Sequence, residues 1–74
     1  MNRQRRKSIA EAIDKITEAI GMLEAVKEEE QDALDNLPDS FRYGERGEEM
    51  EGYIEMLDEA TGYLEDANSV IEQI

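Results

Sequence analysis

The sequence LPDSFRYGERG, residues 37–47, divides this chain of 74 residues into two long segments. It contains the only proline, Pro38, the only phenylalanine, Phe41, and two of the five glycines. A proline pushes the residue before it out of the α region, so a preceding helix ends near Asn36. The segments on either side contain no proline and have a helical period. The sequence therefore predicts two long helices joined by a turn over residues 37–44.

Apolar residues form one stripe along each segment, with the alternating four and three spacing of a heptad repeat. The first stripe is interrupted at Lys27 and Glu30, which either extend outward on their aliphatic stems or form a polar layer that sets the register. The stripe residues are Ile13, Ile16, Ile20, Leu23, Leu34 and Leu37 in the first segment, and Met50, Tyr53, Leu57, Ala60, Leu64, Ala67, Ile71 and Ile74 in the second. We expect helices over about residues 8–36 and 45–73 that pack along these stripes.

The start of the first helix has two candidate positions. Ser8 and Glu11 fit a capping box, in which the serine oxygen accepts from a backbone amide and the glutamate reaches back to the serine amide. Alternatively, the helix begins near Asn2, because the arginines and glutamine that follow are good helix formers. The second helix has Gly44 as its predicted N-cap and Glu45 in its first turn, where a carboxylate stabilises the positive end of the helix dipole.

When Leu37 is placed opposite Met50 in an antiparallel pair, the residues on the two sides of the stripe differ in polarity. We call the two sides the apolar flank and the polar flank. The apolar flank pairs Ala33 with Met56, Val26 with Tyr63 and Ala19 with Val70. The polar flank pairs Gln31 with Ile54, Glu24 with Thr61 and Thr17 with Asn68. Helix bundles bury the stripe and one flank of each helix. The sequence therefore predicts an all-α fold, an antiparallel two-helix hairpin that dimerises into a four-helix bundle through the apolar flank.

The chain is short and strongly acidic. Twenty acidic and eight basic side chains give a net charge of −12. One domain over residues 1–74, built from two helices, buries little apolar surface, which favours self-association. The charge favours a basic protein as partner and disfavours a membrane surface or direct nucleic-acid binding. Residues 1–7 are a basic N-terminal arm with half of the positive charges, which either pairs with acids on a neighbouring helix or touches a nucleic acid.

The residue types available for chemistry are few. The chain has no cysteine and no histidine, so it lacks the thiolate nucleophile, the commonest general base and the commonest metal ligand. The acidic run Glu28 to Glu30 lacks the alternating pattern and glycine of a calcium-binding loop. We therefore expect no catalytic, cofactor or metal site. No apolar run long enough for a secretory signal or a membrane span is present, which favours a cytoplasmic protein.

Two groups of residues are candidates for partner binding. Phe41, Arg42 and Tyr43 form the only aromatic cluster outside the stripes, and aromatic and arginine side chains are favoured at interfaces. Phe41 folding back as a plug for the open end of the bundle is the other interpretation. The second group is an acidic row on the second helix, which includes Glu51, Glu55 and Asp58. Its spacing approximates that of successive phosphates, so the row either mimics nucleic acid toward a basic groove or only solubilises the helix.

The pieces Asn-Leu-Pro-Asp-Ser at residues 36–40 and Glu-Arg-Gly-Glu-Glu-Met-Glu at residues 45–51, between two acidic heptad-like segments, carry a resemblance. With them, the chain resembles small uncharacterised acidic helical-hairpin proteins of bacteriophages and mobile elements of Gram-positive bacteria. The resemblance implies a bacterial host and a setting in which short acidic proteins inhibit host defence or nucleic-acid enzymes.

These features favour a non-enzymatic protein-interaction module that binds and inhibits or modulates a basic host protein, with nucleic-acid mimicry as one route. The alternative is a structural or assembly protein whose helical-bundle oligomer is itself the function. Both hypotheses use the apolar flank, and they differ in whether the acidic surface recognises a partner or only solubilises the bundle.

Overall fold

The computed structural model describes residues 1–74 and consists entirely of helices and their connections. Helix α1 spans Arg3–Asp35, the short helix α2 spans Asp39–Arg42, and α3 spans Glu45–Ile71. The prediction of an all-α fold is confirmed. The two long helices, α1 and α3, pack against each other, and α2 packs against α3.

Three contacts between side chains or chain ends show how the long helices run. Arg6 Nη1 donates to the carbonyl oxygen of Ile74 at 2.9 Å. Asn68 Nδ2 donates to Thr17 Oγ1 at 3.2 Å, which is one of the pairs predicted for the polar flank. Lys27 Nζ lies 2.9 Å from Asp58 Oδ1. Because the partner on α3 moves back along the chain as α1 advances, the helices are antiparallel, and the molecule is a rod of 59 × 15 × 11 Å.

Helix α1 has the earlier of its two candidate starts. Asn2 is the N-cap, and its side-chain oxygen accepts from the backbone amide of Arg5 at 2.8 Å. The helix then continues through Ser8, whose hydroxyl makes no capping bond. The predicted boundary near residue 8 is therefore wrong. The basic residues predicted as an arm before the helix are its first turns from Arg3 onward.

The connection between the long helices also differs from the prediction of a plain turn over residues 37–44. Pro38, with φ of −57°, is the N-cap of α2, which adds one helical turn before Gly44 caps α3. Gly47 is buried where α2 crosses α3, and a Cβ there would overlap the carbonyl oxygen of Arg42. At the far end, α3 stops at Ile71, two residues short of the predicted boundary.

The apolar core is small and lies next to the connection. Leu34 is 2% exposed and is the only large side chain that is fully buried, with Met50 the other buried apolar residue. Most other stripe residues are half-buried, because each helix is covered from one side only. A core of this size leaves much of the apolar surface of the chain in contact with water.

Candidate interaction surfaces

The apolar flank faces outward along one side of the rod. Met56, Tyr63 and Val70 are each 65% exposed, and Val26 and Ala33 on α1 are also exposed. The cause is a rotation of α3 that turns its polar flank inward. Its flank residues Ile54, Thr61 and Asn68 are half-buried or buried.

Two tyrosines on α3 have their hydroxyl groups paired within the helix. Tyr53 Oη donates to Glu49 Oε1 at 2.6 Å, and Tyr63 Oη donates to Glu59 Oε1 at 2.9 Å. The bond to Glu49 and the charge of that carboxylate raise the pKa of Tyr53 above 10.0. A buried tyrosine needs a partner for its hydroxyl, and both residues already have one. Their rings can therefore be covered by another molecule without leaving an unpaired polar group.

The polar flank opens into a groove of about 380 Å³ between α1 and α3. It holds two of the three residues predicted on the acidic row, and Glu51 is exposed one turn away. The lining residues are Lys27, Glu28, Gln31, Ile54, Glu55 and Asp58. Ile54 is the single apolar member, and Glu28 and Glu55 make no ion pair within the chain. The groove therefore combines a small apolar contact with two uncompensated carboxylates.

Lys27 and Glu30 do not form a closed polar layer. The Lys27 ammonium leaves the stripe and bonds Asp58 across the helix pair, which raises the pKa of Lys27 above its usual 10.5. Glu30 is half-buried and makes no ion pair. Of the two interpretations, outward extension applies to Lys27. The carboxylate of Asp58 is thereby neutralised, so it is less available to a partner than Glu51 or Glu55.

The turn presents two aromatic side chains to water. Phe41 is 55% exposed and Tyr43 is 79% exposed in the single chain, so much of each ring is open to water. Arg42 is half-buried instead, with Nη2 3.8 Å from Asp35 Oδ1 and a buried Nη1 that has no hydrogen-bond partner. The three residues are therefore not one exposed cluster. The two rings are accessible, and Arg42 holds the connection against the end of α1.

Asn68 is a buried polar residue, and its burial is not predicted by the sequence pattern. The Thr17 hydroxyl donates to the carbonyl of Ile13 and accepts from Asn68 Nδ2, which leaves Asn68 Oδ1 buried without a partner. The heptad pattern assigns Asn68 to a flank, where polar residues are usual. Its burial follows from the rotation of α3, which the pattern alone does not specify.

The acidic charge of the rod is almost uncompensated. Only Asp35 and Asp58, of the twenty acidic side chains, form ion pairs within the chain. No group of three acidic side chains converges as a metal site requires, and no helix is both long and apolar enough to cross a membrane. Comparison of the chain with family models, curated proteins and solved structures finds no match.

Proposed function

We propose that this chain is a non-enzymatic interaction module, a helical hairpin that binds a basic protein through its acidic surface. The observation that carries the proposal is the near absence of ion pairs among so many carboxylates. Negative charge that the chain does not compensate repels other parts of the same chain and attracts cationic partners. Such a surface increases the rate of encounter with a basic partner, and that rate falls as salt is added.

The groove beside the polar flank is the best candidate for the contact. Lysine and arginine have long apolar stems that lie along apolar surface while their charged ends reach carboxylates. Ile54 supplies such a surface, and Glu28 and Glu55 line the same groove. Glu51 extends the carboxylate row toward the turn end, where Phe41 and Tyr43 add exposed aromatic surface. In the setting that the phage resemblance implies, the partner is a host defence or nucleic-acid-handling protein.

The proposal is tested with a fluorescent lysine-rich peptide of about twenty residues, titrated at several salt concentrations. The double change Glu51→Gln and Glu55→Gln should weaken binding more than Asp14→Asn with Glu18→Gln, because only the first pair lies on the proposed surface. Both variants remove two charges from exposed helical positions, so the comparison is matched. Equal losses would mean that binding follows net charge alone and would overturn the choice of surface. No binding at low salt would overturn the function.

A second candidate function, assembly of a bundle, is favoured by the exposed surface of the chain. The accessible surface is 5754 Å², whereas a compact monomer of this mass exposes about 4,700 Å². The excess of roughly 1,000 Å² exceeds the ~800 Å² that each partner buries in an interface of standard size. Two hairpins that meet through their apolar flanks would bury this excess and form a four-helix bundle.

Light scattering and sedimentation over a range of concentrations test the dimer. Tyr63→Glu places a charge at the centre of the apolar flank and should produce a monomer, whereas Ser69→Glu adds the same charge to an exposed position outside the flank and should not. A wild-type monomer at micromolar concentration, with melting independent of concentration, would overturn the bundle. If the Tyr63→Glu monomer still binds the basic peptide, the interaction function does not require the bundle.

A further inference from the structure

The two ends of the rod differ strongly in charge. Its turn end carries residues 37–44, and its terminal end carries Arg6 beside Ile74. The half nearer the turn, residues 23–64, contains fourteen acidic and three basic side chains, a net charge of −11. The other residues contain six acidic and five basic side chains, a net charge of −1. Two copies that lie side by side therefore interact differently according to their relative direction.

Parallel copies would place the two −11 halves next to each other. Packed helices lie about 8–10 Å apart, and the Debye length is about 8–10 Å at moderate salt, so this repulsion is only partly screened. Antiparallel copies place each strongly acidic half beside a half that is nearly neutral. The charge distribution therefore favours the antiparallel arrangement.

Two charged residues lie on the line of the apolar flank, one at each end. Arg5 is two heptads before Ala19 on α1, and Glu49 is one heptad before Met56 on α3, so each shares the side of its helix with the flank. In a parallel dimer Arg5 would meet Arg5 and Glu49 would meet Glu49. In an antiparallel dimer each Arg5 can meet a Glu49.

The spacing along the helices allows this pairing. Met22 follows Thr17 by five residues and Tyr63 precedes Asn68 by five, so the Thr17–Asn68 bond places Met22 and Tyr63 at nearly the same level. Both are about two-thirds exposed. Along the rod axis, at 1.5 Å per residue, Arg5 lies about 26 Å from Met22 toward the terminal end. Glu49 lies about 21 Å from Tyr63 toward the turn end. A two-fold axis at this level leaves the two charges only about 5 Å apart along the rod axis, an offset that an arginine side chain can span.

We infer that a second copy of this chain packs antiparallel on the apolar flank, about a two-fold axis at Met22 and Tyr63, with Arg5 of each copy against Glu49 of the other. The inference rests on the dimer in the proposed function and specifies its direction. It assigns one role to the basic start of α1, which is to select the antiparallel arrangement. An isologous contact of this kind closes on itself and produces a dimer rather than a fibre.

Disulfide cross-linking tests the direction, because the chain has no cysteine of its own. Ala12 and Ala33 both lie on the flank line and are exposed, ten and eleven residues from Met22 on either side. Ala12→Cys and Ala33→Cys proteins, one of them carrying a mass tag, are mixed, equilibrated and oxidised. The antiparallel dimer should give the mixed Ala12–Ala33 disulfide and little of either like-with-like product. Predominance of the like-with-like disulfides would overturn the inference and leave the dimer itself standing.

Spin labels give a readout that does not depend on disulfide geometry. Labels attached to Ala33→Cys should lie about 33 Å apart in the antiparallel dimer, which is twice eleven residues at 1.5 Å, and roughly 10 Å apart in a parallel one. A short distance would overturn the antiparallel direction. A sample that light scattering shows to be monomeric would overturn the proposed dimer as well, so the two failures are distinguishable.

A charge exchange tests the end contact. Arg5→Glu and Glu49→Arg should each raise the dimer Kd by roughly twofold to tenfold, since two exposed ion pairs are lost per dimer. The double variant should restore the wild-type Kd. Lys7→Glu makes the same charge change as Arg5→Glu in the same turns of α1 but away from the flank line, so it should have the smaller effect. Failure of the double variant to recover would overturn the Arg5–Glu49 contact.

Discussion

Lys27 shows how a single side chain can satisfy a position that calls for an apolar residue. It stands in the heptad stripe, yet its ammonium bonds Asp58 outside the stripe, and its stem remains against the helix pair. Tyr53 does the same on α3, with its ring at a stripe position and its hydroxyl on Glu49. Both side chains hold their proton more tightly in the folded chain than in the unfolded chain.

The stability of the fold should therefore fall at alkaline pH. The pKa values of Lys27 and Tyr53 are raised above 10.5 and 10.0, so their contribution is present below those values and is lost as pH rises through the higher folded values. The melting temperature, measured by circular dichroism, should be nearly constant from about pH 7 to 9 and should fall above about pH 10. A Lys27→Met and Tyr53→Phe variant should show a shallower decline. A wild-type melting temperature that is unchanged through pH 11 would contradict this prediction.

Gly47 and Gly52 on α3 differ in the space available for a side chain. Gly47→Ala should destabilise the fold, by about 1–3 kcal/mol as overpacking usually does, because the new Cβ would overlap the Arg42 carbonyl. Gly52→Ala is the matched control on the same helix. No atom lies within 4 Å of its added Cβ, and removing a helical glycine should stabilise by about 0.5–1 kcal/mol. Urea unfolding measures both, and equal midpoints for the two variants would contradict the expected difference.

The long helices illustrate which elements a local pattern can predict. The proline and the heptad spacing predict two long helices, and the antiparallel pairing of Thr17 with Asn68 follows from the same register. The short helix α2 was missed, because a single turn has no periodicity to detect. Pro38 followed by an acidic first-turn residue, Asp39, is the only trace of it in the sequence. The inward rotation of α3 is also not predicted, because the heptad spacing does not specify it.

The first turn of α1 is stabilised by the side chain of Asn2. Asn2→Ala removes the observed cap and should cost about 0.5–2 kcal/mol, because one backbone amide loses its partner. The helix should then shorten toward the capping box at Ser8, and amide hydrogen exchange should accelerate in residues 3–7. Ser8→Ala is the control and should leave exchange in these residues unchanged, since Ser8 makes no capping bond in the wild-type chain. Identical exchange in both variants would contradict the assignment of the cap.

The whole molecule is governed by repulsion among its carboxylates. With a net charge of −12 and only two internal ion pairs, screening removes more repulsion than attraction. The melting temperature should therefore rise between about 10 mM and 500 mM sodium chloride, while affinity for a basic peptide falls. Sodium sulfate at matched ionic strength separates screening from anion-specific effects. A melting temperature that falls with added chloride would show that attractive pairs dominate.

The sequence predicts the candidate surfaces less well than the fold. The heptad places Met56, Tyr63 and Val70 beside the stripe but does not specify the rotation of α3 that exposes them, whereas Glu51 and Glu55 lie exposed as an acidic helix face should. The neutralisation of Asp58 by Lys27 depends on the reach of one long side chain across the helix pair. The inward turn of Arg42 depends on α2, which has no periodic pattern. Contacts of this kind arise only once the elements have been placed in three dimensions.

The unequal charge of the two ends gives the single rod a permanent electric dipole along its 59 Å axis. Near a positively charged surface such a rod experiences a torque that turns its strongly acidic end forward, so Phe41 and Tyr43 at that tip arrive first. Two antiparallel rods cancel each other's dipole and feel no such torque. Concentration would then govern the manner of approach, with the lone rod arriving end-on and the pair arriving in any orientation.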